Sequence, residues 1–184
     1  MVSLNNFKKS IVVVALAASL AACGDNDSND PVQVVTPPTP EPVSYTFDVT
    51  VSNLTAGQPL SPIAVIAHTE GTLWQIGSAA SVALETMAEG GDNSQLLALE
   101  NAIANASSEG PVGPGANTTI TLTTDSLEAL KLSLATMMVN TNDGFTGLSA
   151  LDVSTLAVGD SLIRTTVAYD AGTEANTEAA GTIP

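Results

Sequence analysis

The sequence predicts a mainly β fold, an antiparallel β-sandwich with a short helical insertion. Hydrophobic residues make up 44% of the 184-residue chain but aromatic residues only 3%, which favours a core of aliphatic side chains with Thr and Ser on the exposed faces. Strand patterns flank a helical middle, without the regular alternation of strands and helices that builds a parallel sheet. We expect one domain at 44–184, after a signal peptide at 1–22 and a tether at 23–43.

The first 22 residues have the features of a secretory signal peptide. Lys8 and Lys9 precede an apolar run at 11–18 that is too short to span a membrane as a stable helix. The segment 20–23, Leu-Ala-Ala-Cys, resembles a bacterial lipobox. This resemblance implies cleavage before Cys23 and lipidation of that cysteine, which would anchor the protein to a membrane of the bacterial cell envelope, on the periplasmic side or at the cell surface. The alternative is an ordinary signal peptide in which Cys23 is incidental.

The segment after Cys23 is rich in Pro and Asp. It holds five prolines and almost no bulky side chains, so it cannot bury enough apolar surface to fold. We expect a disordered spacer that holds the domain away from the membrane.

The predicted domain opens with strands. Apolar side chains at 45, 47, 49 and 51 alternate with polar ones, which is typical of a half-buried strand, and the apolar run from Ile63 to Ala67 predicts a buried strand that ends at His68. Helical spacing of apolar residues then predicts a helix over 77–89. A second short helix, capped by Asp92 or Ser94, is predicted to continue to about residue 106.

The second half of the domain is predicted to be mostly strand. Threonines alternate with Ile120 and Leu122 over 118–124. In 127–139 the leucines fit helical and strand spacing equally, and we favour a strand from about Leu130. The last pattern covers 161–169, where Ile163 and Tyr169 lie on one face of a predicted strand.

Charge and residue counts exclude several kinds of function. All 19 acidic residues follow Cys23, whereas two of the four basic residues precede it, so we expect no nucleic-acid partner. One cysteine and one histidine cannot form an internal disulfide or a tetrahedral zinc site. His68 is the only possible histidine base, and a lone histidine at a strand end is usually a packed structural residue.

We therefore predict that the protein is not an enzyme and has no catalytic residues. The segment 147–151, Gly-Leu-Ser-Ala-Leu, lacks the second glycine of a nucleophile elbow. Two alternatives stay open at this point. One is a hydrolase that uses a carboxylate pair, such as Glu85 or Glu89 with a loop aspartate, and the other is a structural envelope lipoprotein without a metal.

Three acidic residues follow predicted strands near the C-terminus. Asp143 comes after one strand, and Asp170 and Glu174 come after the next. If both strands end at the same edge of a sandwich, the three carboxylates converge, and their repulsion favours a divalent cation between them. Alternatively, Asp143 serves an Asn-Asp-Gly turn, and Asp170 and Glu174 are solvated loop residues.

Three stretches of the predicted domain carry recognisable motifs. The first, 66–92, contains a His, a Leu-Trp pair and an Ala-Glu-Gly series; the second, 132–148, is a strand that runs into a Thr-Asn-Asp loop. The third, Tyr-Asp-Ala-Gly-Thr-Glu at 169–174, is the most specific. Together the three stretches resemble the spondin N-terminal domain family. The resemblance implies a C2-like sandwich with one structural Ca²⁺ held by Asp143, Asp170 and Glu174, completed by carbonyls near Gly144. It also implies a binding or adhesion module with a surface or matrix ligand.

Overall fold

The computed structural model describes residues 2–10, 43–175, 181 and 183, and the described chain is mainly β. Two short helices lie together in the middle of the sequence, between the third and fourth strands. In chain order the elements are β1 (Val2–Ser10), β2 (Ser44–Ser52), β3 (Ala64–His68), α1 (Val82–Gly90), α2 (Ser94–Leu97), β4 (Ala104–Ser107), β5 (Asn117–Thr124), β6 (Lys131–Met137), β7 (Gly144–Asp152), β8 (Leu162–Arg164) and β9 (Ala168–Asp170).

The strands form two antiparallel sheets, which confirms the predicted fold class. One sheet has the strand order β5-β2-β1-β8, and the other has the order β4-β3-β6-β7-β9. Neighbouring strands run antiparallel throughout the described part of both sheets. The predicted strand from about residue 130 is also confirmed, because Lys131–Met137 pairs with β3 on one side and β7 on the other.

The main core lies between the inner faces of the two sheets. In β2 the side chains of Phe47, Val49 and Val51 are buried, whereas the alternate threonines lie on the outer face. They pack with buried residues of β5 and of β6, such as Leu122 and Leu134. The side chains that the predicted period-two pattern places on the inner face of the sheet therefore form part of this core.

A second core lies between the five-stranded sheet and the helices. Met87 of α1 is fully buried there with Leu96 of α2 and Met137 of β6. The helix begins at Val82, not at 77 as predicted, because the Ser81 side chain caps it by accepting the N–H of Leu84. It ends where Gly91 adopts a left-handed conformation with φ of 70°.

Two other predictions of local structure were wrong. The second helix stops at Leu97, and Ala104–Ser107 forms β4, which pairs with β3. The pattern at 161–169 does not form one strand. Its first part is β8, which pairs with β1, and its last part is β9, which pairs with β7 in the other sheet, so the chain changes sheets at 165–167.

The N-terminal region is described only in part. The predicted signal peptide overlaps β1, which lies between β2 and β8 in the first sheet. Cys23 and residues 24–42 of the tether lie outside the described residues, so the lipid anchor and the spacer stay predictions. Among the residues described, no helix has the length and apolar character needed to cross a membrane.

Candidate metal centre

The two acidic loops predicted to meet do meet, at one corner of the five-stranded sheet. Strand β7 begins at Gly144 and β9 ends at Asp170, and these two residues are partners in the ladder. Asp143 therefore lies beside the segment that follows β9. Its backbone carbonyl accepts the N–H of Ala171 over 3.2 Å, so the pairing of the two strands continues one residue into the loops.

The Asp143 carboxylate is the centre of this corner. The residue is only 2% exposed. Its Oδ2 accepts the N–H of Thr173 at 3.0 Å and the N–H of Glu174 at 3.2 Å. Hydrogen bonds to a carboxylate are about twice as strong as neutral ones, so Asp143 holds the loop after β9 against the start of β7.

The side-chain oxygen of Thr173 lies in the same corner and lacks a partner. It is buried, and among the described residues no atom forms a hydrogen bond with it. Buried hydroxyl groups are normally hydrogen-bonded, because leaving one unpaired costs free energy. The donors at this corner are hydroxyl and carboxylate oxygens, the type that calcium prefers.

The three predicted carboxylates do not form a ready-made cage. Asp170 is exposed, and its Oδ1 accepts the N–H of Gly172 at 2.7 Å. Glu174 is partly buried. Within the described residues, no group of three His, Cys, Asp or Glu side chains is arranged to hold a metal ion. The structure thus brings the predicted residues to one corner, where Asp143 is buried, Glu174 is partly buried and Asp170 is exposed.

The turn before β7 is fixed by Thr141. Its hydroxyl accepts the N–H of Gly144 at 2.9 Å and donates to the carbonyl of Met138 at 2.6 Å. A Cβ on Gly144 would lie 2.5 Å from that hydroxyl oxygen, so the turn requires glycine. The Gly144 carbonyl accepts the N–H of Met138 at 2.8 Å. The Gly144 carbonyl is therefore engaged by the β6–β7 turn.

Three of the aromatic residues pack under the acidic corner. Trp74 lies edge-on to Phe145 and Tyr169, with ring centroids 5.2 Å and 5.5 Å apart, and the latter two rings stack at 5.3 Å. Phe145 follows Gly144 in β7, and Tyr169 precedes Asp170 in β9. The cluster therefore fixes the two strands that carry the acidic residues.

A cavity of about 280 Å³ lies beside the aromatic cluster. The loop over 72–81 forms one wall, and Phe145, Tyr169 and Asp170 form part of the other. Ile76, near the tip of this loop, is 81% exposed. Asp170 of the acidic corner therefore borders this cavity.

His68 occupies a packed position away from this corner. It is 3% exposed, its Nδ1 lies 2.9 Å from the carbonyl of Glu70, and its Nε2 lies 2.8 Å from the hydroxyl of Ser133. Ser133 is itself fully buried and accepts the N–H of Ala150, which has a positive φ of 55° in a bulge of β7. The Glu70 carbonyl can only accept, so Nδ1–H donates to it, and the imidazole joins the end of β3 to β6 and to the Glu70 turn.

Thr173 and Thr141 are the residues of this corner that sequence reasoning missed. Thr173 lies within the Tyr-Asp-Ala-Gly-Thr-Glu stretch at 169–174, but no role for its hydroxyl was predicted. No family model matches the chain, and no curated protein matches it. Comparison with known proteins therefore assigns a role to neither residue.

Proposed function

We propose that this protein is a lipid-anchored binding or adhesion module of the bacterial cell envelope, and that its acidic corner binds one structural Ca²⁺. The module would hold a ligand on another surface or in a matrix while Cys23 holds the chain on the membrane. The proposal rests on the corner for the cation, on the lipobox-like segment for the anchor, and on the resemblance to the spondin N-terminal domain family for adhesion.

Cation binding is supported by one observation: the Asp143 carboxylate is buried beside a Thr173 hydroxyl that has no hydrogen-bond partner among the described residues. A buried carboxylate is costly without a compensating positive charge. In the described part of the chain, the hydrogen-bond partners of this carboxylate are two backbone N–H groups, which carry no formal charge. A divalent cation would supply the missing charge and give the hydroxyl oxygen a partner.

Calcium suits this corner better than other common cations. It accepts 6–8 oxygen ligands at about 2.3–2.6 Å and tolerates irregular loop geometry. Asp143 and Thr173 would form the inner part of the site, and the side chains of Asp170 and Glu174 would close it from the outer side. Each of the two loops carries acidic residues, so the cation would join loops that otherwise repel each other.

Calcium is expected to raise the melting temperature of the full chain by about 5 °C or more when its concentration is about 100 times the Kd, because a ligand bound only by the folded state stabilises it by about 2.7 kcal/mol there. Extracellular modules bind calcium with a Kd of about 10⁻⁴ M, so about 10 mM calcium suffices. Circular dichroism melts with calcium, with magnesium and with a chelator make the measurement. A calcium-dependent shift below about 1 °C would exclude a folded-state site.

The anchor is tested separately by lipid labelling in a bacterial host. Radioactive palmitate is expected to label the full chain and not its Cys23→Ser variant, because the chain offers a single thiol for acylation. The substitution changes no residue of the acidic corner, so the expected loss of label comes with an unchanged calcium response. Equal labelling of the two chains would refute lipidation at Cys23.

A further inference from the structure

A second cavity, of about 240 Å³, lies between the two sheets and away from the acidic corner. It is bounded by the end of β2 and the following loop on one side, by β6 and β7 on the other, and by residues 165–168, where the chain changes sheets. Leu54 and Val167 line it and are 68% and 61% exposed. Two apolar side chains therefore stand at its mouth, where they are open to solvent.

The cavity exists because three small side chains lie in one row of the five-stranded sheet. Thr136 of β6 is the direct partner of Thr146 in β7, and Thr146 is the direct partner of Ala168 in β9. Direct partners point to the same face of a sheet. The neighbouring row, with Leu134 opposite Leu148, fills the space between the sheets. The row of Thr, Thr and Ala leaves it open.

Three polar side chains of this wall are hydrogen-bonded to backbone carbonyls. The Thr136 hydroxyl donates to the carbonyl of Ser61 at 2.8 Å, and the Thr146 hydroxyl donates to the carbonyl of Val167 at 2.9 Å. The side-chain amide of Asn53 donates to two backbone carbonyls, at 2.8 Å and 2.9 Å. With their hydroxyls bonded to backbone, the two threonines offer mainly methyl groups to the cavity.

None of the residues that line this cavity has an ionisable side chain, although the chain contains 19 acidic residues. A charged ligand would lose its hydration there and gain no counter-charge, which is costly. An uncharged apolar ligand has no charge hydration to lose, and the burial of its apolar surface would favour binding. The lining therefore discriminates between ligands by charge.

From these observations we infer that the cavity is a binding site for a small uncharged aliphatic molecule. A dry apolar cavity of about 150 Å³ is large enough to bind benzene, and this one is larger. An alkyl chain of about six to eight carbons would lie along the row of small side chains. The inference is independent of the calcium corner.

Methionine methyl groups provide a site-resolved test in the full chain. Met138 lines the cavity, whereas Met137, the preceding residue, is buried on the opposite face of the sheet with Met87. Titration with n-hexanol is expected to shift the ¹³C-methyl resonance of Met138 and to leave those of Met137 and Met87 in place.

The affinity for n-alkanols should rise about fourfold for each added methylene up to n-octanol. Hexanoate and hexylammonium should bind at least tenfold more weakly, by the cost of burying a charge.

Substitutions at Ala168 fill the cavity in two steps. Ala168→Val should weaken n-hexanol binding severalfold, and Ala168→Leu should reduce it at least tenfold; the smaller variant decides the question if the larger one does not fold. Ala157→Leu is the matched control, because this exposed alanine lies outside the cavity. A Met138 shift no larger than those of Met137 and Met87, or hexanol binding by Ala168→Val equal to that of the control, would overturn the inference.

Discussion

Replacing Asp143 by alanine is expected to destabilise the domain by about 3 kcal/mol and to abolish calcium binding. The substitution leaves the N–H groups of Thr173 and Glu174 without the carboxylate that accepts them. An unsatisfied buried donor costs about 1–3 kcal/mol. The loss is measured by urea unfolding in the presence of a chelator, so that the structural cost is separated from the loss of the cation.

Asp143→Asn separates the two roles of this carboxylate. The asparagine keeps one side-chain oxygen to accept an N–H and loses the charge, so we expect a smaller loss of stability in chelator, about 1 kcal/mol. Calcium affinity, measured by titration calorimetry, should still fall at least about tenfold, because a hard cation depends on carboxylate charge. Asp125→Asn is the control, since that aspartate is exposed. If Asp143→Asn bound calcium like the control, the carboxylate would not be a calcium ligand and would only join the two loops by hydrogen bonds.

Replacing Gly147 by alanine is expected to destabilise the domain by about 3 kcal/mol or more, which is at the upper end for overpacking in a core. A Cβ at this position would lie 1.9 Å from the carbonyl oxygen of Leu134 and 2.8 Å from its carbon. Both atoms belong to the backbone of β6, so no side chain can turn away to make room. The strands β6 and β7 would have to separate at the pair of Ala135 and Gly147.

Gly57→Ala is the matched control for this substitution. A Cβ on Gly57 would meet nothing within 4 Å, so its effect should stay within about 0.5 kcal/mol. Urea unfolding of both variants gives the comparison, with equal m-values required for it to be valid. A difference between the two variants below about 1 kcal/mol would contradict the close approach of β6 and β7.

The long strands could be predicted from the sequence because their side chains alternate clearly. In β2 three apolar residues face one core and threonines face solvent, and no other secondary structure gives that pattern. In β6 the leucines also fit a helix, and residues on both faces of the strand are buried. Its pairing between two other strands decided the conformation.

The short strands could not be predicted for a physical reason. β8 and β9 have three residues each, which is too few to show a period. β4 consists of Ala, Asn, Ala and Ser, small residues that carry little signal for any structure, and it is a strand because β3 offers it an edge. Tertiary context overrides weak local preference in such segments.

The candidate site was predictable in its location and not in its details. The acidic residues at two strand ends indicated a common corner, and the ladder between Gly144 and Asp170 brings them there. The path of a loop determines which carboxylate is buried, and it leaves Thr173 Oγ1 without a partner among the described residues. The apolar cavity could not be predicted from the sequence, because Thr136, Thr146 and Ala168 become neighbours only through the register of three strands.

The aromatic cluster under the acidic corner gives the protein an intrinsic optical reporter. The chain has one tryptophan, and this indole contacts the ring after Gly144 and the ring before Asp170. Its fluorescence therefore comes from one known place, next to both strands that carry the acidic residues. A rearrangement that shifts either neighbouring ring changes the surroundings of the indole, so that emission wavelength and quenching will register it without any attached dye.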